Sequence, residues 1–179
     1  MQYTCVTCGE THEGNPSIGT AAPVFYYSVP DTERGTRCQL DSDTCVIDEE
    51  FFFVRGCLEI PIVGEADPFV WGVWASLSRQ NFEKFLMLYD HAHRSHEGPF
   101  FGWLSASLRG YPQTENLKTM VHLRDHGTRP FIELEPTDHP LAIEQRCGIT
   151  RERVGEILAM YFHDGAVSAV DDRSRQPPD

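Results

Sequence analysis

Two runs of β-branched and aromatic residues between Cys45 and Val63, split by Arg55-Gly56, and a third from Phe69 to Leu77 constrain this chain most. Such side chains lose rotamer freedom in a helix but pack well on a pleated surface. The third run, Phe69-Val-Trp71-Gly72-Val-Trp74-Ala-Ser-Leu77, alternates large and small residues with the period of a strand. Arg55-Gly56 predicts a bulge or tight bend joining two strands. Together the three runs predict an antiparallel sheet. In a strand Trp71 and Trp74 point to opposite faces, so at least one should lie near a helix or a surface.

The period then changes. Phe82, Phe85, Leu86 and Tyr89 recur at three and four residues behind Ser78, which predicts an N-capped amphipathic helix from Arg79 to about His91 lying over the sheet. Leu117–Arg124 and Arg129–Glu135 read as a hairpin around Asp125-His126-Gly127, and Phe100 to Ser105 as an apolar, turn-rich stretch. Asp138 is placed to cap a helix from His139 to about Arg146, ended by Gly148. Thr150 is placed to cap a second from Arg151 to about Phe162, with Val154, Ile157, Leu158 and Tyr161 as its buried stripe. Toward the N-terminus, Met1–Thr4 and Val24–Tyr27 read as short strands, and Asp31–Ser42 as an exposed connection. The fold class expected is α+β: an antiparallel sheet covered by one amphipathic helix, two short C-terminal helices and an N-terminal zinc knuckle. Residues 1–163 form one domain in this reading, and the small, charged, proline-containing segment 164–179 a disordered tail.

A length of 179 residues with 40% hydrophobic content suits one core. The net charge of −12 repels phosphate backbones and anionic lipid surfaces, which argues against nucleic acid and membranes as partners. No apolar run approaches the roughly 20 residues that span a bilayer, and the first residues lack the basic and apolar regions of an export signal. A cytoplasmic location is expected. There, six cysteines point to metal binding or burial rather than to a disulfide framework.

The most specific chemical motif is Cys5-Val-Thr-Cys8-Gly9-Glu-Thr-His12. Two thiols two residues apart, closed by a glycine, form half of a tetrahedral zinc site, which needs four N or S ligands. Cys45 can be the third ligand, and His12 or Cys38 the fourth, with His12 preferred; the metal expected is a structural Zn2+. The competing use of such a pair, redox chemistry, normally places it at a helix N-terminus. The following Gly9, Gly14 and Pro16 make a poor helix.

A second cluster comprises Glu133, Glu135, Asp138 and His139, with Glu144 one helical turn beyond. Glu135, Asp138 and His139 are the candidates for acid, base or metal-ligand roles. Capping, corner-shaping prolines and solvated glutamates account for the same residues and are the favoured reading. Arg55 and Arg129, each beside a backbone-shaping residue, could receive a carboxylate or pair with the chain's many acids. Trp71, Trp74 and Trp103 serve a ligand groove or, more simply, a core. His91, His93 and His96 read as a solvent-exposed loop. Leu141–Leu158 resembles a helix-turn-helix, but five residues separate Ala142 from Gly148 where the DNA-binding pattern has three, so it reads as a helical corner on the sheet.

Several stretches together carry a family resemblance: Cys5-Val-Thr-Cys8-Gly9 with His12, Asp43-Thr-Cys45-Val-Ile-Asp48, Val54-Arg55-Gly56 with Leu58-Glu-Ile-Pro61, Trp71-Gly-Val-Trp74, Phe101-Gly-Trp103, and Arg129-Pro130 through Leu134-Glu135-Pro136-Thr-Asp138-His139-Pro140-Leu141. Over roughly Cys5 to Glu156 the chain resembles domain of unknown function 2199, a family of uncharacterised bacterial proteins. The resemblance implies a bacterial cytosolic protein and supports counting Cys45 with the knuckle; Cys38, Cys57 and Cys147 fall outside the family pattern. The function expected is a binding or interaction module with a structural metal and a protein partner. The alternatives are a hydrolase-like enzyme using Glu135, Asp138 and His139, and an antitoxin-like partner of a basic protein.

Overall fold

The computed structural model describes the backbone of residues 2–4, 11–13 and 17–162 and the side chains of residues 17–161. Its elements, in chain order, are β1 (Gln2–Thr4), β2 (Thr11–Glu13), β3 (Ser17–Gly19), α1 (Val24–Ser28), α2 (Asp31–Arg37), β4 (Cys38–Leu40), β5 (Thr44–Ile47), β6 (Phe51–Ile60), β7 (Phe69–Leu77), α3 (Arg79–Met87), β8 (Phe100–Leu104), β9 (Lys118–His122), β10 (Phe131–Leu134), α4 (Pro140–Cys147) and α5 (Arg151–Phe162). The expected tail 164–179 lies outside the described residues.

The long hairpin β6–β7 is the centre, paired without interruption from Phe52 opposite Leu77 to Ile60 opposite Phe69. Arg55-Gly56 therefore does not break the strand. Gly56 serves another purpose: a Cβ there would lie 2.6 Å from the Ile132 side chain and 2.8 Å from the Pro130 carbonyl oxygen. The missing side chain lets β10 approach β6.

Each outer edge of the hairpin is shared by two strands. β7 pairs with β8 at Ala75–Leu77 and, in parallel, with β3 at Val70–Gly72. β6 pairs with β5 at Phe51–Val54 and, in parallel, with β10 through Phe131 opposite Cys57. Because β8, β9 and β10 are paired in succession, the last contact closes β6–β7–β8–β9–β10 into a five-stranded barrel. The sheet is thus mixed and closed, not the antiparallel layer the sequence predicts.

Strand alternation decides the core. Phe69, Trp71, Val73, Ala75 and Leu77 of β7 belong to the main apolar cluster, with Phe82 and Phe85 of α3, Leu141 of α4, and Val154, Ile157 and Leu158 of α5. Trp74 points the other way into a smaller cluster with Val29, Cys45, Ile47 and Phe53, so both tryptophans are buried, one on each face. Residues 24–28 are not the strand expected, and 31–40, though largely exposed as expected, has regular structure. Val24–Ser28 is helical, Asp31–Arg37 forms a second helix, and Cys38–Leu40 pairs with β5.

Ser78 caps α3 as predicted, accepting from the Asn81 amide at 3.3 Å, although the helix ends at Met87. Phe100–Leu104, expected to be turn-rich, is a strand. α4 is capped by His139, not Asp138: its Nδ1 accepts from the Leu141 amide at 3.2 Å. α4 and α5 lie on the core as a helical corner. Among the described residues no helix is long and apolar enough to cross a membrane.

Candidate functional site

Of the residues expected to bind zinc, Cys5 and Cys8 lie outside the described residues. His12 lies in β2, its backbone opposite Tyr3. Cys45 is fully buried in the outer apolar cluster, beside half-buried Cys38, and burial pushes its thiol up to about 12. Among the described residues no group of three or more His, Cys, Asp or Glu side chains could hold a metal ion. Cys45 and Cys38 therefore find no third ligand there. β1 is brought alongside α5, which packs on the main cluster rather than on the one holding Cys45.

The acidic cluster is dispersed into separate partnerships. Glu133 lies on His122, 2.7 Å from its Nε2, and Glu135 takes the Lys118 ammonium at 3.3 Å. Glu144 accepts from Tyr111 and, at 2.9 Å, from Arg153. Asp138 is exposed and His139 is occupied as a cap. His91, His93 and His96 are exposed, as expected, and Trp103 is 41% exposed on β8 beside Phe101.

Both arginines singled out in the sequence reach Asp43, Arg55 through its backbone amide and Arg129 through its guanidinium, at the place where β6 exchanges β5 for β10. Asp43 just precedes β5, and its carbonyl accepts the Arg55 amide at 2.8 Å; Pro130 just precedes β10, and its carbonyl accepts the Cys57 amide at 2.8 Å. Across this junction Arg129 Nε donates to Asp43 Oδ1 at 2.6 Å. The Asp43 Oδ2 accepts from Ser42 Oγ at 2.7 Å and from Tyr89 Oη at 3.0 Å. Burial pushes the Asp43 carboxyl up, but its bonds from Arg129, Ser42 and Tyr89 outweigh burial and hold it below its ordinary value. Burial and the hydrogen bond to Asp43 raise Tyr89, keeping its proton on the donor side.

Arg55 stands apart. Its guanidinium lies 5.9 Å over the Trp74 ring and against the backbones of β3 and β7, where a Cβ on Gly19 would come within 2.9 Å of Nη2. The side chain is half-buried; its Nε is sealed from solvent without a hydrogen-bond partner, and no carboxylate among the described residues pairs with it. Burial first, then the positive charge of Arg129, lower its affinity for its proton, with Asp43 opposing.

Sequence reasoning missed what supports this junction. Arg94, 1% exposed, donates to the carbonyls of Arg124 at 2.7 Å, Tyr89 at 2.9 Å, Thr128 at 3.0 Å and Leu88 at 3.3 Å. It ties the turn just after α3, which carries Tyr89, to the β9–β10 turn, which leads to Arg129. A single arginine in a polar loop gives no sequence signal of this.

Fold and site together define an α+β barrel protein with an Arg129–Asp43 ion pair beside β5 and a half-buried Arg55 over Trp74. The chain belongs to the family of uncharacterised proteins conserved in bacteria known as DUF2199, whose model matches residues 4–149. No curated protein and no solved structure matches it.

Proposed function

We propose that this protein is a binding module that takes an anionic group, borne by a small molecule or by a protein partner, at Arg55 and Arg129. One observation carries the reading: in a chain of net charge −12, Arg55 is half-buried with a sealed, unpartnered Nε and no counter-ion among the described residues. Burying a guanidinium without a partner costs several kcal/mol. A protein with 27 acidic residues had the means to neutralise it. An open cation held on a rigid strand is what anion capture requires. The acid/base alternative at Glu135, Asp138 and His139 has its groups engaged elsewhere, in an ion pair, in solvent and in a cap.

The test is a thermal-shift series on the full chain with chloride, phosphate, sulfate and acetate at constant ionic strength. A saturable rise in Tm that is lost in Arg55→Met supports the proposal; equal responses of both proteins refute it. The N-terminal zinc belongs to the same reading as a structural staple on Cys5 and Cys8, with His12 and Cys45 as further ligands; Cys45 is the weakest member because of its apolar burial. Stoichiometric zinc that drops in Cys5→Ser supports the metal, whereas unchanged zinc content and stability in that variant would remove it.

A further inference from the structure

We infer that the outer face of strands β6 to β9, beside α1, docks an amphipathic helix of a protein partner, with apolar contacts at its centre and basic side chains at its rim. None of its contacts is Arg55 or Arg129, so it stands apart from the anion reading. Strand register sets the outward side chains in rows. Phe53 on β6 lies opposite Ser76 on β7, Ser76 opposite Trp103 on β8, and Trp103 opposite Lys118 on β9. In the next row Phe101 lies opposite Met120. A strand with one face in water normally alternates apolar and polar residues. β8 does not: Phe100 and Leu104 fill the core, while Phe101 and Trp103 point outward with their rings 5.3 Å apart. α1 covers part of this face, the Val24 amide donating to the Ser105 carbonyl at 3.1 Å and Phe25 lying 5.6 Å from Phe51 and 5.8 Å from Phe53. Phe25, Phe51, Phe101, Trp103 and Met120 nevertheless remain 39–43% exposed. Side chains of this size then leave roughly 400 Å² of apolar surface in water. A patch of about that size on a single chain marks an interaction site.

Shape and charge choose the occupant. Ser76 keeps β7 low between the aromatic ridges of β6 and β8. Two strand spacings, about 9.6 Å, separate those ridges. That is close to the diameter of an α-helix, about 10 Å, and suits an amphipathic helix laid in a groove. The rim is acidic. Glu49 and Glu50 are exposed just before Phe51, and Glu133 stands opposite Met120 with Glu135 beyond it. Against these four carboxylates stand Arg79, held on the Glu49 carbonyl, and Lys118, 3.3 Å from Glu135, with the His122 ring on Glu133. In a chain of net charge −12, an apolar face rimmed in this way favours a partner with basic flanks. A second copy fits less well. It would bring the same acidic rim, and roughly 400 Å² on each side is about half of what a stable interface buries.

The experiment titrates the full chain into two fluorescein-labelled amphipathic helical peptides, one of leucine and lysine and one of leucine and glutamate, and reads anisotropy. Unlabelled peptide is added in parallel while tryptophan emission is recorded; Trp71 and Trp74 are buried, so Trp103 is the reporter. Expected is saturable binding of the basic peptide, at least 10-fold tighter than of the acidic one, with a blue shift that is absent in Trp103→Phe. Phe101→Ser and Trp103→Ser should each weaken binding at least 10-fold while keeping a cooperative melt. Glu49→Gln combined with Glu133→Gln should weaken it several-fold without touching the apolar face, which keeps the test independent of any folding defect in the serine variants. Acidic peptide bound as tightly as basic overturns the charge assignment. Basic-peptide binding undiminished in Phe101→Ser and Trp103→Ser means that charge alone attracts it, and refutes the docking face, as does absence of saturable binding. Two further arms name other occupants. A dimer in sedimentation velocity that is lost in Phe101→Ser assigns the face to a second copy, and a Trp103 blue shift with phosphatidylcholine vesicles but with neither peptide assigns it to a membrane; either overturns the inference.

Discussion

Replacing Arg94 by Met tests whether the junction is held by one buried guanidinium. The side chain is 1% exposed and makes four hydrogen bonds to main-chain carbonyls, of Arg124, Tyr89, Thr128 and Leu88, at 2.7–3.3 Å. Hydrogen bonds from a charged donor are worth about 1.5–3 kcal/mol each, so four contribute roughly 6–12 kcal/mol gross. Burying the guanidinium with no carboxylate opposite it among the described residues costs several kcal/mol of that. Methionine fills part of the volume and removes the buried charge, but it leaves the carbonyls without their donor. The net loss should be about 3–5 kcal/mol, a large fraction of the stability of an ordinary domain. For a chain of this size that lowers Tm by about 10 °C. Urea unfolding followed by tryptophan fluorescence gives the free energy, and Arg94→Lys gives the control. Lysine keeps the charge but cannot span carbonyls on two segments, so it should recover less than half the loss. An Arg94→Met protein within about 0.5 kcal/mol of the parent would show that the clasp is incidental and refute the reasoning.

Three further outcomes are expected. Gly56→Ala should destabilise by about 1–3 kcal/mol through overpacking against Ile132 and Pro130; unchanged urea midpoints would mean that the barrel closes some other way. Asp125, which accepts the Ser95 and Arg94 amides at 2.8 Å each, is held at about 2, below the usual carboxylate value, first by its backbone bond from Ser95 and next by that from Arg94. Its contribution is present above about pH 4 and fades as pH falls toward 2, so a carboxyl NMR titration midpoint near 4 would contradict these two amide bonds. Buried Cys45, raised to about 12, should react with a thiol reagent only on unfolding, whereas exposed Cys147 reacts in the native protein; rapid native labelling of Cys45 would place it outside the apolar cluster.

Pattern over a few residues was enough to read the alternation of Phe69–Leu77, the Ser78-capped start of α3, the β9–β10 hairpin and the buried stripe of α5 from the sequence. Each is decided within one strand, one helical turn or one tight turn, where period and capping act. The same local rules misread Val24–Ser28 and Phe100–Leu104, because short apolar runs suit helix, strand or loop until packing selects among them. The bend expected at Arg55-Gly56 failed for a related reason: that glycine answers to Ile132 and Pro130 rather than to its own strand.

The candidate site divides in the same way. Residue type and spacing raised the expectations that Arg55 and Arg129 receive a carboxylate or pair with the chain's acids, and that Cys5, Cys8 and Cys45 with His12 or Cys38 hold zinc. Which arginine stays free was a tertiary matter. Asp43 and Arg129 stand 86 positions apart, and Tyr89 reaches Asp43 across 46. They meet only because closure of the barrel sets the start of β10 beside the start of β5, and once Asp43 is satisfied there Arg55 is left without a carboxylate partner among the described residues. Local sequence determines the elements that carry a clear period or cap and which charges are available; the fate of short apolar runs and the pairing of those charges depend on packing and chain closure, which no short pattern encodes.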